Sequence, residues 1–236
     1  MKNFITLLVL GILMGSCTNS ENKMVTISVL EDVTETNFIA SSSFELMESK
    51  LGLSDDIWAG VRFRYGTISS LEHNKRYELL LKPEQSLTGN NLERRAKVTA
   101  FSQEVEYLLN HPKDSTVYQY SAIWEPLTEE IKMLQKDSLG VFTVYLFSDL
   151  QENNNSWFST YSKSDMGHLK NNPQKIEQLF LEKAKAISKK ASTLKVIVVY
   201  QPRNRQEDML FKQMKQLYKA VFKELQIPIE FTANLN

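Results

Sequence analysis

The stretch VTISVLED, residues 25–32, joins an apolar, β-branched run to two acids, and the fold follows from it. A run of this kind, bounded by charge, is typical of a strand buried inside a parallel sheet. Val141–Phe147 (VFTVYLF) and Leu194–Tyr200 (LKVIVVY) have the same character. Because segments with helical spacing of apolar residues lie between these runs, we predict an α/β fold in a single domain. Its central sheet would be doubly wound, mostly parallel and flanked by helices.

The remaining elements are shorter or amphipathic. Apolar spacing predicts helices over residues 43–51, 92–109, 117–135, 173–191 and 210–225. Val61–Ser69 and Tyr77–Leu81 predict two successive strands, and Ile229–Thr232 predicts an edge strand. The polar stretch Gln151–Asn172 is too long for an ordinary connection, so we expect a loop close to a functional site.

The composition excludes several classes of protein. The chain has 236 residues, with 28 Lys and Arg against 28 Asp and Glu, and a single cysteine. Because a strongly basic surface would shift this balance, we expect no nucleic-acid partner. One cysteine cannot form an internal disulfide or a cysteine-rich metal framework. A metal site in this chain would therefore use oxygen or histidine ligands.

The amino terminus is typical of a bacterial signal peptide. Lys2 precedes the apolar run Phe4–Met14, which is shorter than the roughly 20 residues that a membrane-spanning helix needs. The sequence from Met14 to Cys17, MGSC, resembles the lipobox of bacterial lipoproteins, in which the cysteine becomes the lipidated first residue and carries acyl chains such as palmitate. The resemblance implies a membrane-anchored protein of the bacterial cell envelope with three parts: a signal peptide (1–16), a tether lipidated at Cys17 (17–23) and the α/β domain (24–236).

Oxygen-bearing side chains follow two of the predicted buried strands. Asp32, Thr34 and Thr36 end the first strand, and Asp149 follows the strand Val141–Phe147. In a sheet of order 3-2-1-4-5-6, strands 1 and 4 are neighbours at the switch point, where ligands bind beyond the carboxyl ends. If these are strands 1 and 4, both acids converge there. Oxygen ligands of this kind suit a hard divalent cation such as Mg²⁺.

These residues resemble a known family, the von Willebrand factor A (VWA) domains. The run from Asp32 to Thr36, DVTET, is similar to the family's D-x-S-x-S element, and LFSDL resembles its later strand-end acid at Asp149. The family's middle threonine corresponds best to Thr116, with Ser115 as the neighbouring possibility. The resemblance implies a site like the metal-ion-dependent adhesion site, in which a divalent cation recruits an acidic side chain from a protein partner. Its metal residues would be Asp32, Thr34, Thr36, Thr116 and Asp149.

Three alternatives remain open at this point. The hydroxyls of Thr34 and Thr36 could cap a helix while Asp149 satisfies a turn. The same face could also bind a partner without metal. A degenerate haloacid-dehalogenase-like phosphohydrolase would use Asp32 as its nucleophile, but Thr34 stands where that motif D-x-D-x-T has its second acid. We therefore expect a binding protein rather than an enzyme.

Overall fold

The computed structural model describes residues 24–34, 39, 41–69, 74–110, 121–137, 140–187 and 193–235. Within them lie eight strands: β1 (Met24–Asp32), β2 (Gly60–Ile68), β3 (Arg76–Leu81), β4 (Val141–Phe147), β5 (Asn153–Asn154), β6 (Phe158–Ser159), β7 (Leu194–Val199) and β8 (Ile229–Thr232). Six of them form the main sheet, in the order β3-β2-β1-β4-β7-β8. Only β3 runs antiparallel to its neighbour, so the sheet is mixed and mostly parallel, as predicted.

The same residues contain six α-helices: α1 (Phe44–Glu48), α2 (Asn91–Asn110), α3 (Trp124–Leu134), α4 (Lys163–Asn171), α5 (Pro173–Lys183) and α6 (Arg205–Leu225). A 3-10 turn, Ser49–Leu51, continues α1. The helices lie on both faces of the sheet, so the chain forms a single three-layer α/β domain consistent with a VWA-like or Rossmann-like fold.

Each face of the sheet has its own apolar cluster, because successive strand residues point to opposite faces. In β4, Val144 and Leu146 pack into a cluster with α3, α5 and α6. Tyr145 and Phe147 belong to the opposite cluster, which α1 and α2 cover. This alternation buries β4 on both sides and explains its nearly continuous apolar sequence.

Two predicted elements differ from the structure near the carboxyl edge of the sheet. The helix predicted from Val117 begins only at Trp124, and Ser121 instead forms an isolated bridge with Asn153. Trp124 is wholly buried and donates its ring N–H to the Phe180 carbonyl at 3.0 Å, which holds the start of α3 in the core. The prediction of a loop over residues 151–172 is also wrong, because this stretch contains the β5–β6 hairpin and α4.

The predicted helix over residues 173–191 is shorter in the structure, because α5 ends at Lys183 in a turn. The predicted signal peptide and tether, residues 1–23, lie outside the described residues. Among the residues that are described, no helix has both the length and the apolar character that a bilayer crossing needs.

Candidate functional site

Parallel pairing brings the two predicted strand-end acids to the same edge of the sheet. β1 pairs with β4 in a register that sets Leu30 beside Leu146 and Glu31 beside Phe147. Asp32 is therefore the last residue of β1 at the place where β4 also ends, and Ser148 and Asp149 follow directly. The prediction that these strands are neighbours is confirmed. We call this end the carboxyl edge of the sheet, defined by Asp32, Ser148 and Asp149.

Asp32 lies at the centre of this edge and is only 2% exposed. Its Oδ1 accepts hydrogen bonds from the backbone N–H of Thr34 at 3.0 Å and from the Thr34 hydroxyl at 2.6 Å. Its Oδ2 accepts from the hydroxyls of Ser148 at 3.1 Å and Ser121 at 3.3 Å. All donors to this carboxylate are neutral, and no ion pair reaches it within the described residues.

Asp149 is also buried and orders the loop that leaves β4. Its two carboxylate oxygens accept from the backbone N–H and the side-chain amide of Gln151, at 2.8 and 2.6 Å. Leu150 lies between Asp149 and Gln151 and has a φ of 65°. Its N–H donates to the Ser148 hydroxyl at 3.0 Å. This left-handed conformation costs a residue with a Cβ about 1–2 kcal/mol. Complete burial of the Leu150 side chain offsets that cost and explains how leucine is accommodated here.

Glu152 is a third acid of this edge, and sequence analysis missed it. Its side chain is wholly buried, and its Oε2 accepts from the backbone N–H groups of Ile123 and Trp124 at 2.9 and 2.8 Å. These groups belong to the first turn of α3, so Glu152 satisfies donors that a helix leaves unpaired. Its other oxygen, Oε1, has no hydrogen-bond partner among the described residues.

Burial raises the pKa of these acids because it disfavours the charged form. Desolvation raises the pKa of Asp32 above its ordinary value, although the hydrogen bonds from Thr34, Ser148 and Ser121 oppose the shift. Desolvation also raises the pKa of Glu152 to about 8, and the nearby charge of Asp32 adds to it. The pKa of the buried Tyr218 hydroxyl is raised as well. Desolvation is the main cause, and the nearby charges of Glu152, Asp32 and Asp149 add to it. In the part of the chain that the structure describes, no basic side chain pairs with Asp32 or Glu152, so ionisation of either acid leaves an uncompensated negative charge at this edge.

The predicted site residues are only partly brought together in the described residues. Asp32 and Thr34 are in contact, and Asp149 is joined to them through its neighbour Ser148. Thr36 and Thr116 lie outside the described residues, as does Cys17. The structure adds two hydroxyls that were not predicted, those of Ser121 and Ser148. Ser148 directly precedes the predicted Asp149, so its position at a strand end could have indicated it as a site residue. No feature of the local sequence indicated Ser121.

The side chains at this edge offer carboxylate and hydroxyl oxygens to a cation. Among the described residues, no group of three or more His, Cys, Asp or Glu side chains could hold a metal ion. A cation here would therefore need hydroxyl ligands besides carboxylates. Carboxylate and hydroxyl oxygens are hard ligands, and the residues present fit Mg²⁺ or Mn²⁺ in their chemistry.

Comparisons with known proteins give the fold and no family. No family model matches the chain, and no curated protein matches it. A point mutant of the PilB minor pilin from Streptococcus sanguinis has a TM-score of 0.50 at 12% identity, over 94% of this chain. The chain spans 59% of that pilin's length. An aerotolerance-related membrane protein from Bacteroides fragilis has a TM-score of 0.43 at 9% identity, over 90% of this chain and 93% of that one.

Proposed function

We propose that this chain is a lipid-anchored protein of the bacterial cell envelope whose α/β domain binds a protein partner at the carboxyl edge. A divalent cation would assist the binding. The observation that carries the proposal is the environment of Asp32, a buried carboxylate with four hydrogen bonds from neutral donors and no ion pair among the described residues. Burying an uncompensated charge is costly, so such a site favours a bound cation.

The residues around Asp32 would supply the ligands. The hydroxyls of Thr34, Ser121 and Ser148 now donate hydrogen bonds, and each can turn a lone pair towards a cation instead. Asp149 adds a second carboxylate at the same edge. The cation would neutralise the charge of the buried acids and hold a ligand oxygen of the partner.

The charge count indicates the chemistry of the partner. Hydroxyl ligands carry no charge, so a divalent cation that binds one carboxylate directly, that of Asp32, would keep a positive charge for a further anionic ligand. An acidic side chain of a partner protein provides that ligand. Such binding requires no nucleophile and no general base. The anchor follows from the lipobox resemblance at Cys17.

Thermal melts of the full chain in detergent, titrated with Mg²⁺ and Mn²⁺, test the cation. A ligand that binds only the native state at a hundredfold over its Kd stabilises by about 2.7 kcal/mol. For a domain of this size we expect the Tm to rise by about 5–10 °C. Asp32→Asn keeps the side-chain shape and should abolish the rise. Asp208→Asn, an exposed acid on α6, is the matched control and should keep it.

Each outcome of the melts separates the proposal from its alternatives. An equal rise in all three proteins would place the cation elsewhere. No rise in any of them would contradict the cation and leave metal-free binding at this edge. Hydrolysis of p-nitrophenyl phosphate that is lost in Asp32→Asn would instead favour the phosphohydrolase.

A further inference from the structure

The end of the sheet opposite to Asp32 carries exposed apolar side chains. Leu87, in the loop after β3, is 98% exposed, and Leu92, in the first turn of α2, is 81% exposed. Val141, at the start of β4, is 51% exposed. β4 begins at this end and β3 terminates here, because β3 runs antiparallel to β2. We call these three residues the apolar tip.

The loop that presents Leu87 is held in place by specific contacts. Gly89 donates its N–H to the Gln85 carbonyl at 2.9 Å, which closes a turn around Leu87. Gly89 also lies so close to the ring of Trp58 that a Cβ would meet it at 2.2 Å. The wholly buried Arg94 binds the carbonyls of Lys82 on one side and of Ile57 and Ala59 on the other, at 2.5–2.8 Å. Leu87 is therefore exposed on an ordered turn.

The apolar tip lies beside the start of the described chain. Met24 begins β1, and the side chains of Met24 and Pro83 both lie against Gly60. Val25 pairs with Val61, and Val61 pairs with Leu81. Two strand spacings, roughly 10 Å, therefore separate β1 from the strand that leads into the Leu87 loop. Val141 is closer still, since it pairs directly with Val25.

The length of chain before Met24 limits how far this end can be from an anchor at Cys17. Six residues lie between Cys17 and Met24, so seven steps of the chain join the two. Fully extended, they span at most about 25 Å. The lipid surface that holds Cys17 is thus within about one domain diameter of the apolar tip, and the carboxyl edge lies at the other end of the sheet.

We propose that Leu87, Leu92 and Val141 contact the lipid bilayer in which Cys17 is anchored, and that this contact points the carboxyl edge away from the membrane. The inference rests on the proposed anchoring at Cys17. Leucine side chains are favourable at the boundary between headgroups and acyl chains, and a nearby tryptophan such as Trp58 is typical of such interfaces. The orientation would leave Asp32 and Asp149 facing a partner in the aqueous phase.

Site-directed fluorescence on the full, lipidated chain tests the contact. Because Cys17 is the only cysteine and lipidation blocks its thiol, single variants Leu87→Cys and Leu92→Cys accept one environment-sensitive fluorophore each. Tyr161→Cys is the matched control, since Tyr161 is 64% exposed and follows the β5–β6 hairpin on the side of the carboxyl edge. The labelled proteins are reconstituted in phosphatidylethanolamine–phosphatidylglycerol vesicles, and flotation reports anchoring.

We expect the emission at positions 87 and 92 to shift to the blue on reconstitution and to be quenched by lipids brominated in the acyl chain. The label at position 161 should emit as in water. A chain that floats with the vesicles but shows no shift at positions 87 and 92 would overturn this inference alone. A chain that fails to float, and whose Cys17 takes up label in the wild type, would overturn both the anchor and the inference.

Discussion

Buried acids of two kinds lie within or next to helix α3, and they differ in their hydrogen-bond and ion-pair partners. Glu130, within α3, has a side chain only 2% exposed and accepts from Arg64 at 2.6 Å, from Arg76 at 2.7 Å and from Ser28 at 2.9 Å. Among the described residues, Glu152, which holds the first turn of the same helix, accepts only from backbone N–H groups, and Asp32 accepts only from hydroxyls and one N–H. Arginines of the protein neutralise the charge of Glu130, whereas no basic side chain in the described ranges does so for Asp32 or Glu152.

This difference separates a structural role from a binding role. Glu130 joins α3 to β1, β2 and β3 through complete pairing, which holds the layers together. Among the described residues, Asp32 and Glu152 have no basic partner, and they lie at the edge where parallel strands end and where ligands of α/β proteins bind. A positively charged ligand would neutralise Asp32 and Glu152 as the arginines neutralise Glu130. Four variants test whether the contrast holds, two for each kind of acid.

The largest effect is expected from Glu130→Ala. The variant removes the buried acid of the cluster and leaves Arg64 and Arg76, whose side chains are 12% and 29% exposed, without their main partner. Removing one member of a fully buried pair costs about 3–5 kcal/mol, and because the arginines are partly solvated we expect a loss at the lower end, about 3 kcal/mol. Urea unfolding followed by circular dichroism measures the loss. Glu129→Ala, one residue earlier and 73% exposed, should change the free energy of unfolding by less than about 0.5 kcal/mol. Equal losses in the two variants would show that the buried pairing has no special role.

Glu152→Gln should remove a pH dependence of stability. The folded pKa of Glu152, about 8, exceeds the ordinary value of 4.5, so the folded protein binds the proton more tightly than the unfolded chain. The contribution of Glu152 to stability is therefore complete below pH 4.5 and is lost as the pH rises towards 8, on the order of 1 kcal/mol per pH unit. Urea unfolding in metal-free buffer between pH 5 and 8 should give a flatter profile for the variant.

The control for this profile is Glu207→Gln. Hydrogen bonds from Arg203 lower the pKa of Glu207 to about 2, so its contribution to stability is present above pH 4.5 and is lost only in more acidic solution. Between pH 5 and 8 the control should follow the wild type. A Glu152→Gln profile as steep as that of the wild type would mean that Glu152 does not titrate in this range.

The smallest effect is expected from removing single hydroxyls. Ser28→Ala leaves Glu130 with both arginines and should cost about 1 kcal/mol. Ser148→Ala removes one of the few donors to Asp32 and leaves the N–H of Leu150 without its acceptor, so it should cost about 2 kcal/mol. Urea unfolding at pH 7 without divalent cations measures both. A larger loss in Ser28→Ala than in Ser148→Ala would reverse the comparison.

Local sequence predicted the main sheet well because its signals are short in range. Each of the runs that begin at Val25, Val141 and Leu194 becomes a buried strand within one or two residues of its predicted bounds. The acid at the end of β1 could be named because strand order places the carboxyl ends of β1 and β4 together. The start of α3 could not be predicted from local sequence. It depends on the hydrogen bond from Trp124 to Phe180 and on the acceptor Glu152, and both partners are distant along the chain.

By itself, the sequence determined the class of fold, the succession of strands along the chain and the place of Asp32 at a strand end, since apolar periodicity and strand ends are local properties. Tertiary structure alone decided which groups surround that acid. Ser121 and Ser148 reach it across separations of 89 and 116 residues, and Glu152 meets α3 from 28 residues away. It also decided that Glu130 is paired with arginines while Asp32, as far as the chain is described, is not. Burial and charge pairing depend on which segments pack together, and no local pattern of residues records that choice.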